Sequence, residues 1–191
     1  MKHLLVINAQ IILDFCEMKS IRTIFLFWIL FVIKTFGQDQ RPNMLWLTFE
    51  DTSPEFVGCY GNPKAKTPFM DSLALVGIRF TRAFSTGAVC SPSRTALITG
   101  MKTYTLGTGH HRSQYSIPSF VKGFPYYLKE AGYYCTNNEK TDYNVVDPKA
   151  FIANTWDESS NKAGWWNRKD GQPFFAVIND MSAHQSRTMT N

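Results

Sequence analysis

The chain has 191 residues, of which 44% are hydrophobic and 15% aromatic, with a formal charge of +5 at neutral pH. That composition supports a globular core and excludes an intrinsically disordered protein. The basic residues form no dense block or helical stripe, which argues against nucleic-acid binding; a mildly basic surface suits anionic substrates instead.

The first residues read as targeting sequence. Met18-Lys19-Ser20-Ile21-Arg22 is basic, Ile24 to Ile33 is wholly apolar, and Thr35-Phe36-Gly37 offers a cleavage site. The pattern predicts a secretory signal peptide over 1–37. The apolar run is short of the roughly 20 residues a membrane span needs, so no stable insertion is expected after cleavage. Residues 1–17 carry Asp14 and Glu17 and read as a spurious upstream extension, with Met18 as the start. The expected protein, 38–191, is exported to the periplasm or beyond. In an oxidising compartment Cys59 and Cys135 could pair or remain two free thiols, and spacing does not decide between them.

Met44 to Phe49 (MLWLTF) has the length of a buried strand, and Glu50-Asp51 closes it. Open α/β sheets gather ligands at the carboxyl ends of strands, where adjacent carboxylates repel unless a cation neutralises them. A hard divalent metal on Glu50 and Asp51 is the functional reading, and a solvated turn the alternative. Thr67-Pro68 opens a helix with Phe69, Met70, Leu73, Ala74 and Val76 on its apolar side, ended by Gly77. Ile78 to Phe84 then alternates as a strand does.

Thr86 to Gly100 (TGAVCSPSRTALITG) is the organising stretch. Ser91 reads as a helix cap and Pro92 as the first helical residue, with Ala96, Leu97 and Ile98 running inward. The positive end of that helix favours negative charge at Cys90, and Arg94 lies one turn along, suited to a tetrahedral oxyanion such as a sulfate or phosphate ester. Against this stands the possibility that Cys90 is only a small buried hydrophobe. Met101 to Ser119 reads as a loop in which His110, His111 and Arg112 are candidates to touch substrate; adjacent histidines point apart and make a poor metal pair. Phe124 to Ala131 predicts a helix, Tyr133 to Thr136 a strand, and Pro173 to Met181 a buried strand with His184 beyond its tip. Between them Phe151, Trp156, Trp165 and Trp166 suit core packing better than a sugar-stacking surface.

Cys90, Pro92, Ser93, Arg94, Thr95, Thr99 and Gly100 together resemble the signature of the type I sulfatases. Pro42, Asn43, Asp51, Gly58, Cys59, Tyr60, Gly61 and Asn62 match that family's opening, with Glu50 where many members have Asp. Thr67, Pro68, Asp71, Leu73, Ala74, Gly77 and Phe80 match its first helix and the segment after it. Lys140 stands at the place of the family's sulfate-binding lysine, although Glu139 and Asp142 replace its usual glycine and histidine. His184 stands at the place of the histidine that reaches the ester. The variant is similar to the branch of N-sulfoglucosamine sulfohydrolases and related bacterial sulfatases.

The resemblance implies an α/β fold of alkaline-phosphatase-like type, an open, mostly parallel sheet with helices on both faces, here truncated to the N-terminal part of the catalytic domain. It implies Cys90 oxidised to Cα-formylglycine by a maturation enzyme, Ca²⁺ or another divalent metal on Glu50, Asp51 and the modified Cys90, and a sulfated carbohydrate as substrate. The hydrated aldehyde would attack sulfur while Arg94, Lys140 and the metal hold the sulfate oxygens and His184 assists the leaving group. A phosphonate or phosphodiester hydrolase of the same superfamily is the alternative within enzymes. An inactive, exported carbohydrate-binding remnant is the alternative outside them.

Overall fold

The computed structural model describes residues 41–189; the predicted signal peptide lies outside the described residues. The chain divides at Arg41, and the fold is that of the unit Pro42–Asn191. Its centre is a parallel sheet of β1 (Met44–Phe49), β2 (Tyr134–Asn138), β3 (Glu158–Ser159) and β4 (Phe174–Asp180), in the order β1-β4-β2-β3. Every pairing is parallel, with Trp46 opposite Val177, Thr48 opposite Asn179 and Asn137 opposite Val177. The helices are α1 (Pro68–Val76), α2 (Cys90–Thr99), α3 (Thr103–Leu106), α4 (Phe124–Glu130), α5 (Pro148–Thr155) and α6 (Gln185–Thr188). None of the described helices is long and apolar enough to cross a membrane.

One face of the sheet is covered. Met44, Trp46, Cys135, Phe175 and Val177 pack against Ile98 of α2, Phe124 and Leu128 of α4, and Phe151 and Ile152 of α5. Trp156 is buried and stacks on Phe175 with ring centroids 5.9 Å apart, while Phe124 meets Phe175 at 5.2 Å. Trp156 and Phe151 are therefore core, as expected, whereas Trp166 is exposed and is not. Asp147 caps α5 by accepting from the Ala150 amide, which starts the helix that brings Trp156 to the sheet. Cys135 lies in this core as a free thiol bonded to the Pro125 carbonyl at 3.6 Å, and burial, helped by nearby Asp157, pushes its pKa up to about 12. Cys59 is also free and half-buried, so the two thiols do not pair. On the other face, Trp165 in a 3-10 turn stacks on Phe174 at 5.3 Å, while Leu45, Leu47 and Phe49 of β1 are about half exposed.

Three further expectations change. Ile78 to Phe84 forms no strand: it runs as bends, with Ile78, Phe80 and Phe84 exposed and the Phe80 carbonyl bonded to the Tyr60 hydroxyl. Alternation makes a strand only where a sheet edge accepts its backbone, and this segment pairs with neither edge strand: β1 is paired with β4 alone and β3 with β2 alone. α1 forms where predicted, yet Phe69, Leu73 and Val76 stay exposed. α2 begins at Cys90, with Val89 rather than Ser91 at the cap. Proline is tolerated throughout the first turn, whose amides have no helical partner, so Pro92 does not fix the start at itself. Gly87 permits the approach to this helix: a Cβ there would lie 2.8 Å from the Pro92 Cβ.

Candidate active site

The carboxyl ends of β1, β2 and β4 and the start of α2 converge on one polar cluster. Glu50 extends the β1 ladder by one bond, its amide donating to the Asp180 carbonyl at 3.1 Å, and this carries a buried carboxylate to the strand tip. Its Oε1 accepts from Arg94 Nη1 at 3.1 Å and its Oε2 from Lys140 Nζ at 2.6 Å. The same Nζ lies 3.5 Å from Cys90 Sγ. One ammonium thus bridges a carboxylate and the sulfur of the first residue of α2.

Arg94 is fastened on several sides. Its Nε donates to the Thr141 carbonyl at 3.0 Å, and Nη2 donates to Asn179 Oδ1 at 3.0 Å and to the Lys140 carbonyl. With the Glu50 bond, four of its five donor hydrogens are engaged within the protein. Asn179 was not foreseen. It accepts from Thr48 Oγ1 at 2.8 Å and donates to Asn137 Oδ1 at 3.1 Å and the Asn138 carbonyl at 2.9 Å. Asn137 is fully buried. The signal for both residues was present as amides set into the ends of buried apolar strands, where a polar group persists only when bonded.

A cleft of about 400 Å³ opens beside the cluster, lined by Asp51, Cys90, His111, Arg112, His184 and Gln185 among others. His184 precedes α6, and its Nδ1 is tied to the Ser186 hydroxyl at 2.7 Å. Asp51 adopts a left-handed conformation, φ 49°, and its Oδ2 accepts from the Gln185 amide at 2.8 Å. The Arg112 amide donates to Ser91 Oγ at 2.6 Å, and its guanidinium lies 3.5 Å from Asp142. His110 does not line the cleft. Its carbonyl accepts from Asn144 Nδ2 at 2.7 Å, a bond that anchors the loop. Of the sequence-predicted residues, Glu50, Cys90, Arg94, Lys140 and His184 thus come together, Asp51, His111 and Arg112 form the wall, and His110 supports it.

A cysteine at a helix start thus lies with a lysine, an arginine and polar groups from three strand tips. The sulfatase family model matches residues 42–189. The chain belongs to the sulfatase family. It is 41% identical over 159 residues to an ulvan-active sulfatase of Formosa agariphila, covering 77% of this chain and 26% of that protein. It is 36% identical over 108 residues to the human N-acetylgalactosamine-6-sulfatase, covering 51% of this chain and 21% of the relative. The chain therefore spans about a quarter of the length of the relatives it matches. In structure it resembles a protein solved in complex with its substrate D-glucosamine-2-N,6-O-disulfate, with a TM-score of 0.63 and 22% identity over 76% of this chain and 35% of the other. A Vibrio parahaemolyticus member of the alkaline phosphatase superfamily aligns with a TM-score of 0.50 and 20% identity over 81% of this chain and 43% of the other. These likenesses establish the alkaline-phosphatase-like sheet, of which this sulfatase chain holds part.

The described residues of the sulfatase hold one candidate metal site. Glu50, Cys90 and His184 each offer a ligand atom, all within 4.8 Å of one another. Of the sequence-predicted ligands, Glu50 reaches this group with its oxygens on Arg94 and Lys140, and Asp51 lines the same cleft with one oxygen on the Gln185 amide; the arrangement does not select calcium over another divalent ion.

Proposed function

We propose that this chain forms the nucleophile-bearing part of an exported sulfatase that removes sulfate from a sulfated carbohydrate, Cys90 acting after conversion to Cα-formylglycine by a maturation enzyme. The observation that carries this reading is the juxtaposition of Cys90 at the start of α2 with Lys140 Nζ at 3.5 Å. The formylglycine side chain supplies an aldehyde whose hydrate is the nucleophile in this chemistry. Around it Lys140 offers a cation to a sulfate oxygen. Arg94, with four donors engaged, holds Glu50 and the 140–141 backbone in place and so positions the lysine. His184, its Nδ1 held by Ser186, is the group on the cleft wall able to give a proton to a departing oxygen or nitrogen. Arg112 and His111 at the rim would meet the remainder of a polyanionic sugar. Glu50, Asp51 and the converted Cys90 would hold Ca²⁺ or another divalent metal, which would supply positive charge to the sulfate oxygens. Export rests on the run from Ile24 to Ile33.

Peptide mass spectrometry over Ala88 to Arg94, on protein from the native host, tests the modification: the expected product has the Cys90 CH₂SH group replaced by CHO. Paired assays on an aryl sulfate and an aryl phosphodiester test the substrate class. An unmodified Cys90, or faster phosphodiester turnover, would overturn the reading.

A further inference from the structure

We propose that the groove between the 115–123 loop and α5 binds sugar units of the substrate chain beyond the one that loses its sulfate. The inference rests on the sulfated-carbohydrate reading and extends it from a single ester to a polysaccharide held along the surface. The groove encloses about 340 Å³ and shares no residue with the cleft around Cys90. Its walls are mixed. Tyr115 and Tyr126 bring ring surface, Ser116 and Asn154 bring groups that hydrogen-bond hydroxyls, and Lys122 and Asp147 bring charge. An apolar helix or a lipid chain calls for a uniformly apolar groove, whereas a pyranose presents apolar C–H faces ringed by hydroxyls and takes this lining. Lys122 Nζ lies 5.9 Å from the Tyr126 ring centre and sets a cation beside the ring, where a sulfated sugar carries its charge. Asp147 spends Oδ1 on the Ala150 amide, so part of its charge is absorbed by the start of α5.

The groove continues from the cleft. One loop lines both, Arg112 the cleft and Tyr115 the groove, and the three residues between those positions reach at most about 11 Å. The loop is laced to 144–146 along that path. Asn144 Nδ2 donates to the His110 carbonyl at 2.7 Å, the Ser113 amide donates to Asn144 Oδ1 at 3.1 Å, and the Val146 amide donates to the Tyr115 carbonyl at 3.0 Å. Asn144 is fully buried, so these bonds are shielded from water and hold the two sites at a fixed spacing. An oligosaccharide with its scissile sulfate at Cys90 thus passes Arg112 and reaches Tyr126 without a rearrangement of the protein.

The test compares a sulfated dextran hexasaccharide with glucose 6-sulfate, by titration calorimetry on the chain at physiological salt. The hexasaccharide is expected to bind about tenfold more tightly, and Tyr126→Ala or Lys122→Ala should remove most of that advantage while leaving glucose 6-sulfate unchanged. Lys102→Ala is the control. It removes the same charge from a similar pair, Lys102 over Tyr104 at 5.5 Å, outside the groove, and should keep the advantage. No length advantage in the parent chain, or an undiminished one in Tyr126→Ala and Lys122→Ala, overturns the proposal. An equal loss in Lys102→Ala also overturns it and assigns the binding to diffuse charge. If Tyr126→Ala does not fold, Asn154→Ala, an exposed position on α5, decides in its place, and an unchanged hexasaccharide affinity there counts as failure. Formylglycine detection in host-derived protein reads the sulfatase assignment separately, so a converted Cys90 without a length advantage sinks the groove alone.

Discussion

The two faces of β1 carry similar side chains and meet different fates. Met44 and Trp46 turn toward the helices and join the aromatic core, while Leu45, Leu47 and Phe49, one residue out of phase, stay about half exposed. The covered face holds β1 in register with β4, and that register sets Thr48 beside Asn179 and delivers Glu50 to the cluster. The catalytic candidates therefore depend on one face of the strand and are indifferent to the other. A large substitution on the covered side should break this contrast most clearly. Trp156→Ala, which empties the stack on Phe175, is expected to cost about 3–5 kcal/mol, and Leu47→Ala on the open side less than about 1 kcal/mol. Urea denaturation of both variants checks it, and equal losses would show that the open face is packed in solution.

The next effect lies in the polar cluster that the covered face supports. Arg94→Ala leaves Glu50 with Lys140 as its remaining cation and strips the Asn179 side chain and two backbone carbonyls of a donor. The expected cost is about 3 kcal/mol, the lower end for breaking a buried ion pair. Asn179→Ala removes two donated bonds and should cost about 1–3 kcal/mol. A double-mutant cycle sharpens the point. Arg94 and Asn179 share a bond at 3.0 Å and should couple by about 1 kcal/mol, whereas Asn179 and Leu47 should add independently. Independent behaviour of Arg94 and Asn179 would mean that the arginine is not held by the strand tips.

Much of this was legible in the chain and some was not, for physical reasons. The strands at Met44 and Phe174 announced themselves as apolar runs of strand length, although β1 turns only one of its faces to the core. The tips were legible because acids, a lysine and a histidine follow those runs directly. Ile78 to Phe84 misled because alternation records two chemically different faces but says nothing about a partner edge. The apolar side of α1 misled similarly, since a hydrophobic stripe names a surface and not its cover. Asn137 and Asn179 escaped because an amide near a strand end reads as a turn until the register places it beside another amide. The four internal acceptors of Arg94 were not legible because they lie 44, 46, 47 and 85 residues away.

The smallest expected effect tests the covered face from inside. Burial is the main cause that raises the Cys135 thiol from its ordinary value of 9.0 to about 12, with Asp157 adding to it and Lys129 opposing it. The native state therefore keeps this proton at pH values where the unfolded chain releases it. Stability from the buried neutral thiol is fully present below pH 9 and is lost as pH rises toward 12. At pH 10 the loss should be about 1 kcal/mol, superimposed on a loss of the same sign from the buried Tyr143, whose pKa burial also raises. Urea midpoints at pH 7, 9 and 10 for the parent chain and Cys135→Ala separate the two, because the alanine variant removes the thiol's share of the slope and leaves the tyrosine's. Iodoacetamide gives a second readout: native Cys135 should resist alkylation while half-buried Cys59 reacts, and both should react in urea. An unchanged pH slope in Cys135→Ala, or equal native reactivity of the two thiols, would mean that water reaches the core beneath Phe175 and that the covered face is less closed than its packing indicates.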